Sequence, residues 1–131
     1  MKLLLDTHAF LWHAEGDPQM SKTATALIVD PANELLLSMA SVWEIAIKVG
    51  MKKLTLSAPY VTFMTRAING YGIHVLPVTI VECAAYEQLL LPNKHHRDPF
   101  DRMIIIHAQR NGLSLVGVDA AFDSYGLTRL W

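Results

Sequence analysis

The chain has 131 residues, of which 11 are basic and 12 acidic, giving a net charge of −1 with histidines neutral. That length suits one domain able to bury roughly 65–70% of its unfolded surface, and near-neutrality excludes an overall electrostatic footprint for nucleic acid while leaving room for a local one. Hydrophobic residues make up 52% of the chain, but the apolar runs are only a few residues long, far short of the ~20 that span a bilayer. Asp6 interrupts the leading apolar stretch before the h-region of an export signal can form. The single cysteine, Cys83, rules out an internal disulfide and reads as a small core residue in a reducing compartment. A soluble cytoplasmic protein with no membrane partner is expected.

In chain order, KLLLD (2–6) reads as a short buried strand ending in an acid, followed by a helical THAFLWHA and a turn at GDP (16–18). SKTATALIV reads as a helix capped by Ser21 and stopped at Pro31, and ELLLS (34–38) as a second strand. SVWEIAIKVG (41–50) has the form of a helix with Ser41 as cap, Glu44 completing a capping box and Gly50 as stop. A helix over 58–69, closed by GYG, precedes a short strand, IHVL (73–76), and TIVECAAYEQLL opens with a Thr79–Glu82 capping box. DPFDRMIIIHAQRNG starts with Asp98 as N-cap and Pro99 at the first helical position, and Gly112 closes it. SLVGVD (114–119) is a strand ending in an acid, AAFDSYG a short helix or turn, and LTRLW the last strand. Short apolar strands separated by helices imply an α/β domain with a mainly parallel sheet covered on both faces. In such a sheet the functional crevice lies beyond the carboxyl ends of the strands.

The acids at those ends therefore carry the functional question. Asp6 and Asp119 each close a strand and precede a helical segment, so each alone reads as a cap. On adjacent parallel strands, however, the two would repel one another unless a cation compensated. Projected at ~100° per residue from Asp98, Phe100, Ile104, Ala108 and Ile105 occupy one arc, and Asp101 falls inside it at roughly 300°. Asp101 thus points along the apolar face, whereas Asp98 lies at the polar edge as a cap or rim ligand. Met103 and Ile106 fall outside the arc, to be covered by another element or by a partner chain. Glu44 projects beside Lys48 and reads as structural. Carboxylates converging without a Cys/His pattern suit a hard cation. HExxH and CxxC zinc spacings are missing, as are the GxxxxGK[ST], GxGxxG and GxSxG motifs.

LLLDTHAFLW, SMASVWEIAIKVGMKKL, HHRDPFDRMIIIHAQ and SLVGVDAAFDSYG, in this order, resemble the PIN-domain ribonucleases, and among them the VapC-type toxins of bacterial toxin–antitoxin pairs. The resemblance spans essentially the whole chain. It implies a three-layer α/β/α sandwich, Mg²⁺ or Mn²⁺ in an acidic pocket, and metal-dependent cleavage of RNA. It further implies a homodimer and neutralisation by a VapB-like antitoxin in a toxin–antitoxin hetero-oligomer. Carried over position by position, it makes Asp6, Glu44, Asp101 and Asp119 the catalytic metal ligands, overturning the structural reading of Glu44. Asp98 and Asp123 become candidates for the outer shell. Gly117 departs from the pattern, since Thr or Ser often stands two residues before the fourth aspartate, and a hydroxyl contact is expected to be lost. His107 and Ile106 also depart, where Gln and a small residue are more usual, which bears on helix packing.

Hydrolysis by a metal-activated water is the mechanism implied, with Lys48, Arg97 and Arg102 as candidates for positioning RNA phosphates and single-stranded or loop RNA as target. Two other readings compete. An aspartyl-phosphate phosphatase would use Asp6 as nucleophile, but Asp6-Thr7-His8 lacks the second acid of a DxD pattern. A non-catalytic PIN-like scaffold would bind RNA or protein without cleaving.

Overall fold

The computed structural model describes residues 1–90 and 98–131. The cluster Lys94, His95, His96 and Arg97 lies outside the described residues, and with it the proposed phosphate contact of Arg97. Five strands form one sheet: β1 (Lys2–Leu5), β2 (Glu34–Ser38), β3 (His74–Leu76), β4 (Ser114–Val116) and β5 (Arg129–Leu130). Their order is β3-β2-β1-β4-β5, and each neighbouring pair is parallel. Between them run α1 (Thr7–Glu15), α2 (Lys22–Val29), α3 (Met39–Gly50), α4 (Tyr60–Gly70), α5 (Ile80–Gln88), α6 (Pro99–Asn111) and a 3-10 helix (Ala120–Tyr125).

The unbroken leucine runs follow from burial on two faces. Side chains alternate along a strand, so Leu3, Leu5, Leu35 and Leu37 pack with Phe10 of α1, Ile28 of α2, Ile45 of α3 and Phe63 of α4. Leu4, Leu36 and Leu115 point the other way, onto Ile104, Ile105 and Ala108 of α6 and Phe122 of the 3-10 helix. A half-solvated sheet would show polar residues at every second position; here both sets are apolar because both faces are covered. Met103 and Ile106, outside the sheet-facing arc, are covered by Ala40 of α3, by Ala85 and Tyr86 of α5, and by Leu89 just after it.

Three local expectations need correction. Helix α3 begins at Met39 and is capped by Ser38, whose Oγ accepts from the Ala40 N–H at 3.0 Å. Ser41 is therefore inside the helix, and Glu44 is not part of a capping box. The fourth strand ends at Val116, so Gly117 and Val118 intervene before Asp119, which caps the 3-10 helix by accepting from the Ala121 N–H at 2.9 Å. Cys83 is exposed rather than in the core, because it lines an open apolar cavity bordered by α3, α5 and α6 and is covered by none of them.

The departure at His107 has a physical resolution. Its ring is fully buried, with Nδ1 2.9 Å from Ser38 Oγ and Nε2 3.0 Å from the Pro77 carbonyl. A carbonyl only accepts, so Nε2 carries the proton and Nδ1 accepts from the Ser38 hydroxyl. Burial lowers its pKa and keeps the ring neutral. One neutral imidazole thereby ties α6 to the end of β2 and to the segment after β3. Among the described residues no helix is long and apolar enough to cross a membrane.

Candidate acidic active site

From β1 the chain continues to β2 on one side, while β4 and β5 lie on the other, so the direction of winding reverses between β1 and β4. A crevice opens at such a reversal, at the carboxyl ends of the strands. Asp6 stands at its centre. Its backbone N–H donates to the Val116 carbonyl at 3.0 Å, extending the β1–β4 ladder, while its Oδ1 accepts from the Ala9 N–H at 2.7 Å and caps α1. Gly117 lies against the same carboxylate: a Cβ there would come within 2.9 Å of Asp6 Cγ. The glycine that breaks the expected Thr/Ser pattern therefore provides the space in which the Asp6 carboxylate sits.

Glu44 reaches the crevice from α3. It is only 5% exposed, and a buried carboxylate needs partners. Thr7, the residue after Asp6, donates its hydroxyl to Glu44 Oε1 at 2.8 Å and lies 2.9 Å from the buried Ser41 Oγ. Lys48, one turn further along α3, pairs with Glu44 Oε2 at 2.8 Å. The lysine expected at an RNA phosphate is thus the counter-charge of Glu44, with its half-exposed ammonium at the rim. Sequence mechanics placed Glu44 beside Lys48 correctly but missed Thr7 and Ser41, whose contacts span 37 and 34 residues of chain.

Asp98 and Asp101 divide as the helix projection implies. Asp98 is exposed, and its Oδ1 accepts from the N–H groups of Phe100 and Asp101, each at 2.9 Å, making it the N-cap of α6. Asp101 is half-buried in the first turn, close enough to Asp6 to act on its charge. Asp119 is exposed and also acts on Asp6. The Asp6 carboxyl is accordingly pushed up to about 7, first by burial and then by the negative charges of Asp101, Asp119 and Glu44, against the lowering effect of the Ala9 N–H.

Two cations differ from expectation. Arg102 donates from Nη2 to the Leu89 carbonyl at 2.9 Å and stacks its guanidinium 4.6 Å from the centre of the Tyr86 ring. It clamps α5 to α6 instead of standing free for a phosphate. Arg129, which the sequence reading passed over, faces the crevice from β5. Its Nε and Nη2 donate to the two carboxylate oxygens of Asp123 at 2.8 and 3.1 Å, so the candidate outer-shell acid is engaged by a guanidinium on both oxygens. Hydrogen bonding to Arg129 lowers the pKa of Asp123. The signal for Arg129 in the sequence is a charge inside the mostly apolar strand segment LTRLW.

Beside the acids, α3, α5 and α6 border an apolar cavity of about 800 Å³ lined by Met39, Val42, Trp43, Tyr86, Phe100 and Met103, among others. Trp43 precedes Glu44 and Phe100 precedes Asp101, and their rings meet edge to face at 5.5 Å. Trp43 remains 64% exposed.

The donor set of Asp6, Glu44, Asp101 and Asp119 consists of hard carboxylate oxygens, the chemistry that suits Mg²⁺ or Mn²⁺ rather than zinc. Among the described residues, no three His, Cys, Asp or Glu side chains form a group placed to hold one ion. The chemistry of the donors fits a divalent ion.

The family model for the PIN domain matches residues 3–127. The chain belongs to the PIN-domain family. Within it, this PIN domain is 30% identical over 124 residues to ribonuclease VapC22 of Mycobacterium tuberculosis, covering 94% of the present chain and 91% of that protein. Its fold is similar to that of VapBC2 from Rickettsia felis, solved bound to a promoter DNA fragment, with a TM-score of 0.71 at 15% identity over 98% of this chain and 97% of that one. It is also similar to M. tuberculosis VapC20, a sarcin-ricin loop cleaving toxin (TM-score 0.67, 17% identity, 96% of each chain). FitAcB from Neisseria gonorrhoeae has the same fold (TM-score 0.66, 20% identity, 97% and 95% of the chains). The α/β/α sandwich around a parallel sheet expected from the sequence is the fold these proteins share with this one.

Proposed function

We propose that this PIN domain is a metal-dependent endoribonuclease, the toxin of a VapBC-like toxin–antitoxin pair. The reading is supported by family membership and by the VapC relative. The observation that carries it is the placement of Asp6: a carboxylate only 4% exposed at the reversal point of the sheet, under the negative field of Glu44, Asp101 and Asp119. A fold that gained only stability from this position would not hold mutually repelling acids around a buried one.

Asp6, Glu44, Asp101 and Asp119 would hold Mg²⁺ or Mn²⁺, with water completing the coordination. When bound, the ion supplies an activated water and Lewis-acid stabilisation of phosphate charge. The protein's own groups set the stage. The Ala9 N–H and the bare Gly117 backbone fix the Asp6 carboxylate, and Thr7 and Lys48 orient the two oxygens of Glu44. The ammonium of Lys48 at the rim adds positive charge for an RNA phosphate. An antitoxin of VapB type is proposed to dock near the acids, with the apolar cavity that Trp43 and Phe100 line as one contact, and homodimerisation is proposed for the toxin.

Incubating the purified protein with total RNA and Mn²⁺, with and without chelator, tests this reading. Cleavage with discrete ends that chelator and Asp6→Asn both abolish is expected; RNA bound intact in Mn²⁺ would favour a non-catalytic scaffold.

A further inference from the structure

The step from β4 to Asp119 is two residues long, Gly117 and Val118, and has no regular secondary structure of its own. The Ala121 N–H holds one oxygen of Asp119 from the 3-10 helix side, and contacts from outside hold the backbone of the step. Arg129 makes those contacts. Its Nη1 donates to the Gly117 carbonyl at 3.1 Å and approaches the Val118 carbonyl at 3.4 Å, while Nε and Nη2 grip Asp123 as a fork. From the other side, the Gly117 N–H donates to the Leu130 carbonyl at 3.2 Å, so the strand that carries Arg129 also holds the first residue of the step. Asp123 lies on the 3-10 helix that Asp119 caps. One guanidinium therefore joins both flanks of Asp119: the two carbonyls before it and the carboxylate four residues after it. The same Gly117 is the residue against which the Asp6 carboxylate rests, so displacing the step would disturb two of the four acids at once.

We propose that Arg129 and Asp123 form a positioning clamp for the acidic site, fixing the Gly117–Val118 step and with it the side chains of Asp119 and Asp6. Asp123 thereby acts through Arg129 and not as a ligand. The inference rests on the proposed metal-dependent ribonuclease reading for its cleavage and Mn²⁺-affinity measurements, and the exchange measurement is independent of it. The planar fork is what the geometry uses, because five fixed donors can reach a carboxylate and two carbonyls together and a lysine ammonium cannot.

Arg129→Lys keeps the charge and loses the fork, so it separates positioning from simple charge balance. Wild type, Arg129→Lys, Asp123→Asn and the double variant are compared in three measurements: Mn²⁺ affinity by calorimetric titration, RNA cleavage, and hydrogen exchange at the Ala121 amide that Asp119 caps. The clamp predicts that each single variant loses roughly 10- to 100-fold in Mn²⁺ affinity and in kcat, the range for groups that orient metal ligands. The double variant should lose no more than the worse single one, since both break the same contact. Exchange at Ala121 should quicken in all three. Wild-type affinity and exchange in Arg129→Lys, or losses that multiply in the double variant, would overturn the clamp. If the wild-type protein cleaves no RNA or binds no Mn²⁺, the metal-dependent ribonuclease reading fails, while exchange at Ala121 still decides the clamp.

Discussion

Two buried polar sites, the His107 node and the Asp6 crevice, are built by opposite rules. At His107 each nitrogen has a partner of the right kind, and the ring is held neutral by burial. At Asp6 one carboxylate oxygen caps a helix, and the charge as a whole is opposed by desolvation and by three other acids. The first arrangement contributes stability. The second costs stability that a bound cation would return, the pattern expected where a fold gives up stability for function. The difference shows in the titration directions: both groups are pushed towards their neutral forms, but only at Asp6 do like charges contribute.

The largest effect that could break this contrast is in Asp6→Asn. The asparagine can still cap Ala9 but carries no buried charge, so the metal-free protein should gain several degrees in Tm at pH 8. Metal-stimulated RNA cleavage should fall by more than about 100-fold. A destabilised variant would place Asp6 with the satisfied core groups. His107→Ala should do the reverse, leaving the Ser38 hydroxyl and the Pro77 carbonyl without their partner and opening a cavity. It should cost roughly 2–4 kcal/mol in denaturant unfolding, while the protein that remains folded keeps its Mn²⁺ affinity. Smaller and more local is the pair on α6. Asp101→Asn should abolish cleavage, and Asp98→Asn, which retains a capping side chain, should lose less activity and only a few tenths of a kcal/mol. The opposite order of activities would assign the site to the wrong aspartate.

Much of this architecture was legible in the sequence, for reasons that also mark where legibility stopped. KLLL and ELLLS are apolar at every position because both sheet faces are covered, and the two-face period of strands makes that readable. The helix α6 could be projected because Pro99 fixed its start, and the division of Asp98 from Asp101 followed. At α3 the expected cap lies three residues late, since Ser38 and Ser41 are equally good caps in sequence and only Ser38 stands at the end of a strand. That placement made Glu44 look structural, and the family resemblance is what proposes a metal role for it. Thr7, Ser41 and Arg129 were not visible as site residues because their partners are brought together by the β1–β2 and β4–β5 pairings and not by local spacing. Gly117 looked like a loss because the space it leaves is defined by Asp6, more than a hundred residues away in the chain.

Asp6 is proposed to be a buried carboxylate whose charge a bound cation stabilises. For a carboxyl raised from 3.8 to about 7, the folded state holds its proton more tightly than the unfolded chain. The stability this confers is fully present below the unfolded pKa and is lost as pH rises through the folded one. Thermal unfolding of the metal-free protein between pH 4 and pH 8, repeated with Mn²⁺, measures it directly. Metal-free Tm should fall across this window, Mn²⁺ should restore it most at pH 8, and both effects should vanish in Asp6→Asn. A Tm equally sensitive to pH and Mn²⁺ in Asp6→Asn, or a wild-type protein indifferent to Mn²⁺ at pH 8, would contradict the claim.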